Sequence, residues 1–236
     1  MCGRLVVSST AEQLAQAVRA SRVEGEQAPS YNVSPTQPVP AVLNEDRDIL
    51  RWVRWGLIKP KSQGISPGGV LFNARVETVF QKPAFRHAAR ARRCVIVADG
   101  FYEWAPALSA KRQPWFFRQK SRTPLLIAGL WEREAEHSGP HSIAYSCTIL
   151  TTEAIGPVRP IHHRMPLFLR EMDLEGWLSR VEWTSNEWTD FLDEIAVPDL
   201  EAYPVGTRVN STSNNGPDLI LPAAPSEFAS QLDLFG

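Results

Sequence analysis

The run Cys94-Val95-Ile96-Val97-Ala98 contains no polar side chain and stops at the turn pair Asp99-Gly100. Too short to be a helix of its own and apolar throughout, it reads as a strand buried on both faces, which obliges the chain to place structure on either side of it. Other short runs of β-branched and aromatic residues accompany it: Leu5–Ser8, a strand-pair region over Asp48–Leu57, Trp115–Phe117, Pro124–Leu130, Ile143–Leu150 and Met165–Leu169. Helical signals are fewer. Ser9-Thr10-Ala11-Glu12 has the form of a capping box opening a helix with Leu14 and Val18 on one face. Thr78–Ala91 reads as helical at least beyond Pro83, Leu174–Leu178 as a short helix, and a second capping box from Thr184 to Glu187 opens a helix through Trp188–Ile195. The stretch from the first helix to Pro40 reads as loop, and Lys59–Gly69 as a Pro/Gly/Ser connection. Many short strands with a few peripheral helices indicate an α+β fold rather than a βαβ succession. We expect one domain over residues 2–222 and a flexible C-terminal tail over 223–236.

A chain of 236 residues that is 43% hydrophobic buries roughly 70–75% of the surface its unfolded form exposes, without disulfides or metals. Its three cysteines form no CxxC pair and leave one over in any disulfide scheme, which suits a reducing compartment. The apolar run Leu125–Trp131 is far short of the roughly 18 residues of a membrane helix, and the N-terminus lacks the order of a signal peptide, so a cytoplasmic protein with no membrane partner is expected. The net charge of −1 hides an asymmetry: Glu171 to Glu201 holds ten acidic residues and one basic one, leaving +8 on the remainder. That remainder suits a polyanion. Its densest part, Phe85 to Arg93, carries four arginines and no acid, although taken alone such a stretch reads as a solvated helix face.

No GxGxxG, Walker A, HExxH or GxSxG pattern is present, so nucleotide-binding, zinc-protease and α/β-hydrolase readings lack local support. Cys2 carries the chemistry. Removal of Met1, favoured by so small a second residue, leaves an α-amine and a thiol on adjacent carbons, with ordinary pKa values of about 7.7–8.0 and 8.5. Such a 1,2-aminothiol condenses with an aldehyde: the amine forms an imine and the thiolate closes a thiazolidine ring on it. Alternatively the thiol attacks an amide with the amine as base. Glu103, set among aromatics in Gly100-Phe101-Tyr102-Glu103-Trp104, is expected to have a raised pKa suited to proton transfer. His162 and His163 precede a strand, and Asn73 and Arg75 add an amide and a cation. Each of these alone has an ordinary structural reading. A zinc site from Cys2, His162 and His163 lacks a fourth ligand, and no cofactor or metal is expected.

Together the residues resemble one family. Met1-Cys2-Gly3-Arg4, Tyr31-Asn32-Val33-Ser34-Pro35-Thr36, Trp55-Gly56-Leu57-Ile58, Asn73-Ala74-Arg75 with Glu77-Thr78, Gly100-Phe101-Tyr102-Glu103-Trp104, Ala128-Gly129-Leu130-Trp131-Glu132, His162-x-Arg164-Met165-Pro166 and Val209-Asn210 are similar in order and spacing to the SOS response-associated peptidase (SRAP) family. The resemblance implies strongly bent mixed and antiparallel sheets forming a barrel-like core with peripheral helices. It implies a protein that senses abasic sites in single-stranded DNA at the replication fork or nucleoid, shielding them by a thiazolidine crosslink through processed Cys2, with lyase-type chemistry and any peptidase activity confined to self-processing. Carried onto this chain, Asn73 holds the N-terminal amine and the adduct, Glu103 moves protons, and His162 assists imine chemistry and β-elimination. Arg75 and Arg164 clamp phosphates, with Arg4 and Arg86 as further cations and Trp104 as a stacking platform. A monomer is expected. Two other readings compete: an N-terminal-cysteine peptidase acting on other proteins, which has no use for the arginines, and a non-catalytic single-strand binding module, which would tolerate loss of the thiol.

Three departures from the family pattern are visible. Lys59-Pro60-Lys61-Ser62 stands where tryptophans usually follow, so grip there is expected to lean on charge; Val97 and Ile155 replace a frequent Pro and Asn. Beyond the family core the chain ends Gln231-Leu232-Asp233-Leu234-Phe235-Gly236. That peptide looks like the short segment by which bacterial repair proteins dock on the β sliding clamp, with Leu232, Leu234 and Phe235 as apolar anchors and Gln231 as the polar one.

Overall fold

The computed structural model describes residues 2–57, 69–106, 112–134, 144–194 and 196–224. Among these the chain forms, in order, β1 (Leu5–Val7), α1 (Ala11–Ala17), β2 (Arg22–Glu24), β3 (Ser30–Val33), β4 (Pro38–Leu43), β5 (Asp46–Trp55), β6 (Asn73–Arg75), α2 (Arg86–Ala91), β7 (Arg93–Ala98), β8 (Gly100–Trp104), β9 (Pro114–Gln119), β10 (Leu125–Arg133), β11 (Tyr145–Glu153), β12 (Arg164–Pro166), β13 (Phe168–Leu169), α3 (Leu174–Trp177), α4 (Ser185–Glu194) and β14 (Leu200–Pro204). The apolar run is β7, buried at every residue.

Strand β7 lies between β4 and β10, antiparallel to both. Strand β4 pairs antiparallel with β5, and β10 with β11. Strands β11 and β5 then pair in parallel, Cys147 opposite Trp55, closing a five-stranded ring. A closed ring of five cannot alternate direction throughout, so one parallel pair is obligatory, and here it falls at β5 and β11. Closure leaves the ring strands without an open edge. The fold is α+β with a barrel-like core, as expected.

Strand β11 outruns the ring. Its C-terminal half is flanked by β6 on one side and β12 on the other, since Thr151 lies opposite both Arg75 and Pro166. The second sheet, in the order β14-β9-β8-β1-β3, covers the barrel. Its alternation splits two cores. Leu5, Val7, Phe101 and Phe117 face the main core, whereas Val6, Tyr102 and Phe116 pack with Val205, Val209 and Leu219 of the C-terminal segment. The sheet is thus covered on both faces.

Several expectations are corrected. The stretch to Pro40 contains β2, β3 and the start of β4. Pro38 and Pro40 disguise β4, yet both lie where it pairs with β5 alone; β7 joins only at Ala41, so neither missing N–H interrupts that second ladder. Asp48–Leu57 is not a strand pair: up to Trp55 it belongs to the single strand β5, and Leu57 beyond it forms an isolated bridge with Leu71. The first capping box is shifted by one residue: Thr10 caps α1 with Gln13 as its reciprocal partner. Ser8 and Ser9 instead donate to the Asp99 carboxylate. The second box forms as expected, with Thr184 N donating to Glu187 Oε2 at 2.7 Å and Glu187 N to Thr184 Oγ1 at 3.3 Å. Strands β6, β8 and β14 were not identified from the sequence, and helix α2 begins only at Arg86. Lys59, Lys61 and the peptide Gln231–Phe235 lie outside the described residues. Among the described residues no helix is long and apolar enough to cross a membrane.

Candidate active site

The register of β1 against β8 sets the site. Leu5 lies opposite Phe101, and Tyr102 N donates to Arg4 O at 3.0 Å, so the residues before β1 run along β8 toward Glu103 and Trp104. Strand β8 lies close on β9 because residue 100 has no side chain: a Cβ there would sit 2.4 Å from Phe116 Cζ and 2.6 Å from Phe117 O. Cys2 is fully buried in the main core. Asn73, the first residue of β6, donates from Nδ2 to Cys2 O at 2.6 Å. Its Oδ1 is buried with no donor among the described residues. Glu103, on the same face of β8 as Phe101, is 3% exposed, and its Oε1 lies 3.9 Å from His162 Nδ1. The four residues proposed from sequence therefore converge from the N-terminus, β6, β8 and the turn before β12.

Burial governs the titration of this cluster. Desolvation pushes the Glu103 carboxyl up to about 7, an effect partly offset by a hydrogen bond from Trp104 N and by the charge of His163. Desolvation, reinforced by the Glu103 charge, likewise pushes the Cys2 thiol far above its ordinary value, against the smaller pull of a backbone hydrogen bond from Arg4. The thiol is thus held protonated at neutral pH. Burial also lowers His162. Its Nδ1 accepts from Arg164 N at 2.9 Å and lies 2.8 Å from Arg164 O. Nδ1 uses the first contact when bare and the second when it carries a proton, so one residue's backbone serves both states of that nitrogen. The His163 ring lies tilted by 31° against that of His162, with centroids 4.4 Å apart, and is exposed.

The arginines are placed unequally. Arg75 is exposed on β6. Arg164 is 8% exposed and grips Glu77 with both terminal nitrogens, at 2.7 and 3.0 Å. Arg4 donates to Asn32 Oδ1 and to Val209 O and stacks 5.6 Å from the Trp104 ring centre. Trp104 in turn donates from Nε1 to Asn210 Oδ1 at 2.7 Å. Arg86 is exposed at the start of α2, which packs on β7 and β10, and among the described residues it makes no hydrogen bond or ion pair with the cluster. The basic stretch as a whole does not form one open face. Arg93 is fully buried, and Arg92 pairs with Glu132.

Sequence reasoning assigned no role to Asn32, Glu77 or Asn210, although each lies in a motif singled out there. Buried Asn32 donates from Nδ2 to the carbonyls of Ser211 and Asn214 at 2.9 and 2.8 Å, clasping the C-terminal segment against β3. A polar residue between Tyr31 and Val33 was the available signal. Among the described residues no group of three or more His, Cys, Asp or Glu side chains is placed to hold a metal ion.

The family model described as SOS response associated peptidase (SRAP) matches residues 1–212. Abasic site processing protein YoaM of Bacillus subtilis is 37% identical over 227 residues, covering 93% of this chain and 97% of that protein. Abasic site processing protein HMCES of Gallus gallus is 30% identical over 265 residues, covering 94% of this chain and 78% of that protein. The crystal structure of a protein from Bacteroides thetaiotaomicron shares the fold, with a TM-score of 0.75 at 22% identity over 94% of this chain and 100% of that one. The motifs, the barrel and these matches agree: the chain belongs to the SOS response-associated peptidase family.

Proposed function

We propose that this protein processes abasic sites in single-stranded DNA by forming a thiazolidine crosslink through Cys2 once Met1 has been removed. The observation that carries the reading is the contact of Asn73 with the Cys2 backbone, beside a carboxyl group poised near neutrality. It is supported by similarity to relatives named abasic site processing proteins.

The ring-opened abasic sugar presents an aldehyde. The Cys2 amine adds to its carbonyl carbon, the carbinolamine loses water to form a C=N bond, and sulfur then bonds to the same carbon while nitrogen takes up a proton. One water leaves and no redox change occurs. The buried Oδ1 of Asn73 suits an N–H of the liberated amine, while Nδ2 fixes the Cys2 carbonyl, so the nucleophile is oriented before the aldehyde arrives. With a pKa of about 7, Glu103 is populated in both forms at neutral pH. It can protonate the departing hydroxyl and then accept the proton that burial keeps on the thiol. His162, neutral and 3.9 Å from Glu103, relays protons in imine chemistry and in any β-elimination of the strand. Arg75 and Arg164 hold phosphates, and Trp104, braced by Arg4 and Asn210, supports a flanking base. The C-terminal Gln231–Phe235 peptide tethers the protein to the β sliding clamp.

The test is a denaturing gel of Met1-processed protein incubated with a single-stranded oligonucleotide containing one abasic site, alongside the intact oligonucleotide. A heat-stable band with abasic DNA only, absent for Cys2→Ser, is expected. Peptide turnover without a DNA adduct would favour the peptidase reading, and reversible binding unaffected by Cys2→Ser would favour a passive module.

A further inference from the structure

The Arg164 guanidinium has two differently occupied sides. Inward, Nη2 donates to Thr151 O at 2.5 Å. Outward, Nη1 and Nη2 hold the two Glu77 oxygens in a bidentate pair. The arginine side chain is 10% exposed but that of its glutamate is 49% exposed, so a buried cation meets an anion at the water boundary. Glu77 also feels the positive charge of Arg75, two residues earlier in the chain. One carboxylate is therefore shared by the two cations that flank the end of β11. A carboxylate and a phosphate offer a guanidinium fork the same pair of acceptor oxygens.

We propose that Glu77 is a placeholder anion, which fills the fork of Arg164 in the free protein and is displaced by a DNA phosphate when the strand seats. The inference rests on the abasic-DNA reading above and adds a determinant of selectivity to it. Displacing Glu77 costs every incoming strand the strength of a partly exposed ion pair. A strand already engaged at Cys2 offsets that cost, because its phosphates reach the fork at high effective concentration. An intact strand has no such tether and bears the cost in full.

Equilibrium binding of an intact single-stranded oligonucleotide tests this, using full-length processed wild type, Glu77→Gln, Glu77→Ala, Arg164→Gln and the double variant of Glu77→Gln with Arg164→Gln. Both Glu77 variants are expected to bind about three- to tenfold more tightly than wild type. The gain is expected to vanish in the Arg164→Gln background, and intact DNA should compete correspondingly better against the abasic crosslink. If one variant fails to fold, Glu77→Asp replaces it, with a smaller gain in the same direction. Unchanged or weaker binding by folded Glu77 variants would make the pair purely structural and overturn the proposal. An equal gain without Arg164 would reduce it to through-space charge and also overturn it. A wild type that crosslinks abasic DNA while the variants show no gain removes this inference alone; a wild type that neither binds nor crosslinks removes the DNA reading and this inference together.

Discussion

The side-chain amide of Asn73 donates to the backbone carbonyl of Cys2 at 2.6 Å, joining β6 to the residue that carries the buried thiol. Asn73→Ala removes that donor and the buried oxygen beside it. The expected stability loss is only about 1 kcal/mol, but crosslinking to abasic DNA should slow by at least about tenfold, because the amine is no longer oriented. Asn73→Asp places a carboxylate against the carbonyl and should be at least as slow. A crosslinking time course on both variants checks this, and near wild-type rates would sever Asn73 from the chemistry.

Glu103 makes stability depend on pH. Its folded value, about 7, lies above the ordinary 4.5, so its contribution is fully present below about pH 4.5 and is lost as pH rises through 7. Glu103→Gln removes that loss. Denaturant unfolding should show the variant more stable than wild type by roughly 3 kcal/mol at pH 8, with the difference shrinking toward zero by pH 4, while crosslinking falls. A stability difference independent of pH would contradict the raised carboxyl.

Arg93 is fully buried and serves the acidic segment through its backbone. Its nitrogens cap the carbonyls of Arg90, Trp177, Ser179 and Val181 at 2.7 to 2.9 Å, beneath the Trp183 ring. Burial lowers the guanidinium to about 10, so it is still charged at neutral pH. Arg93→Met orphans these carbonyls and should cost about 3–5 kcal/mol in thermal or denaturant unfolding. A cost below about 1 kcal/mol would show that water replaces the guanidinium.

What could be read before the structure followed from how local each signal was. Strand β7 announced itself because both of its faces are buried, and the Thr184–Glu187 box because its partners are three residues apart. Strand β8 did not: its apolar pattern is interrupted by the buried carboxyl of Glu103, and an ionisable side chain inside a buried strand breaks the rule by which strands are found. Strand β4 was masked by Pro38 and Pro40. In the site, Cys2 was accessible to chemical reasoning because removal of Met1 would place an amine on the same residue as the thiol. The Arg164–Glu77 pair and the clasp of Asn32 on Ser211 and Asn214 join positions far apart in the chain, and no spacing rule reaches them. The arginine-rich stretch shows the converse: a dense local signal that folding divides between buried capping at Arg93, an ion pair at Arg92 and exposure at Arg86.

The C-terminal peptide makes a separable prediction. Removing the last six residues should abolish binding to purified β sliding clamp while leaving abasic crosslinking intact, and so should replacing Leu234 and Phe235 with alanine. Clamp binding that survives the truncation would remove this peptide from the account.

The most direct test of the central claim is intact-mass spectrometry of the purified protein before and after incubation with a single-stranded oligonucleotide bearing one abasic site. The account predicts a chain lacking Met1 that gains the mass of the DNA less one water, in an adduct that survives heating without added reductant and is absent for Cys2→Ser. A Met1-processed chain that gains no mass, or an adduct equally stable in Cys2→Ser, would contradict it.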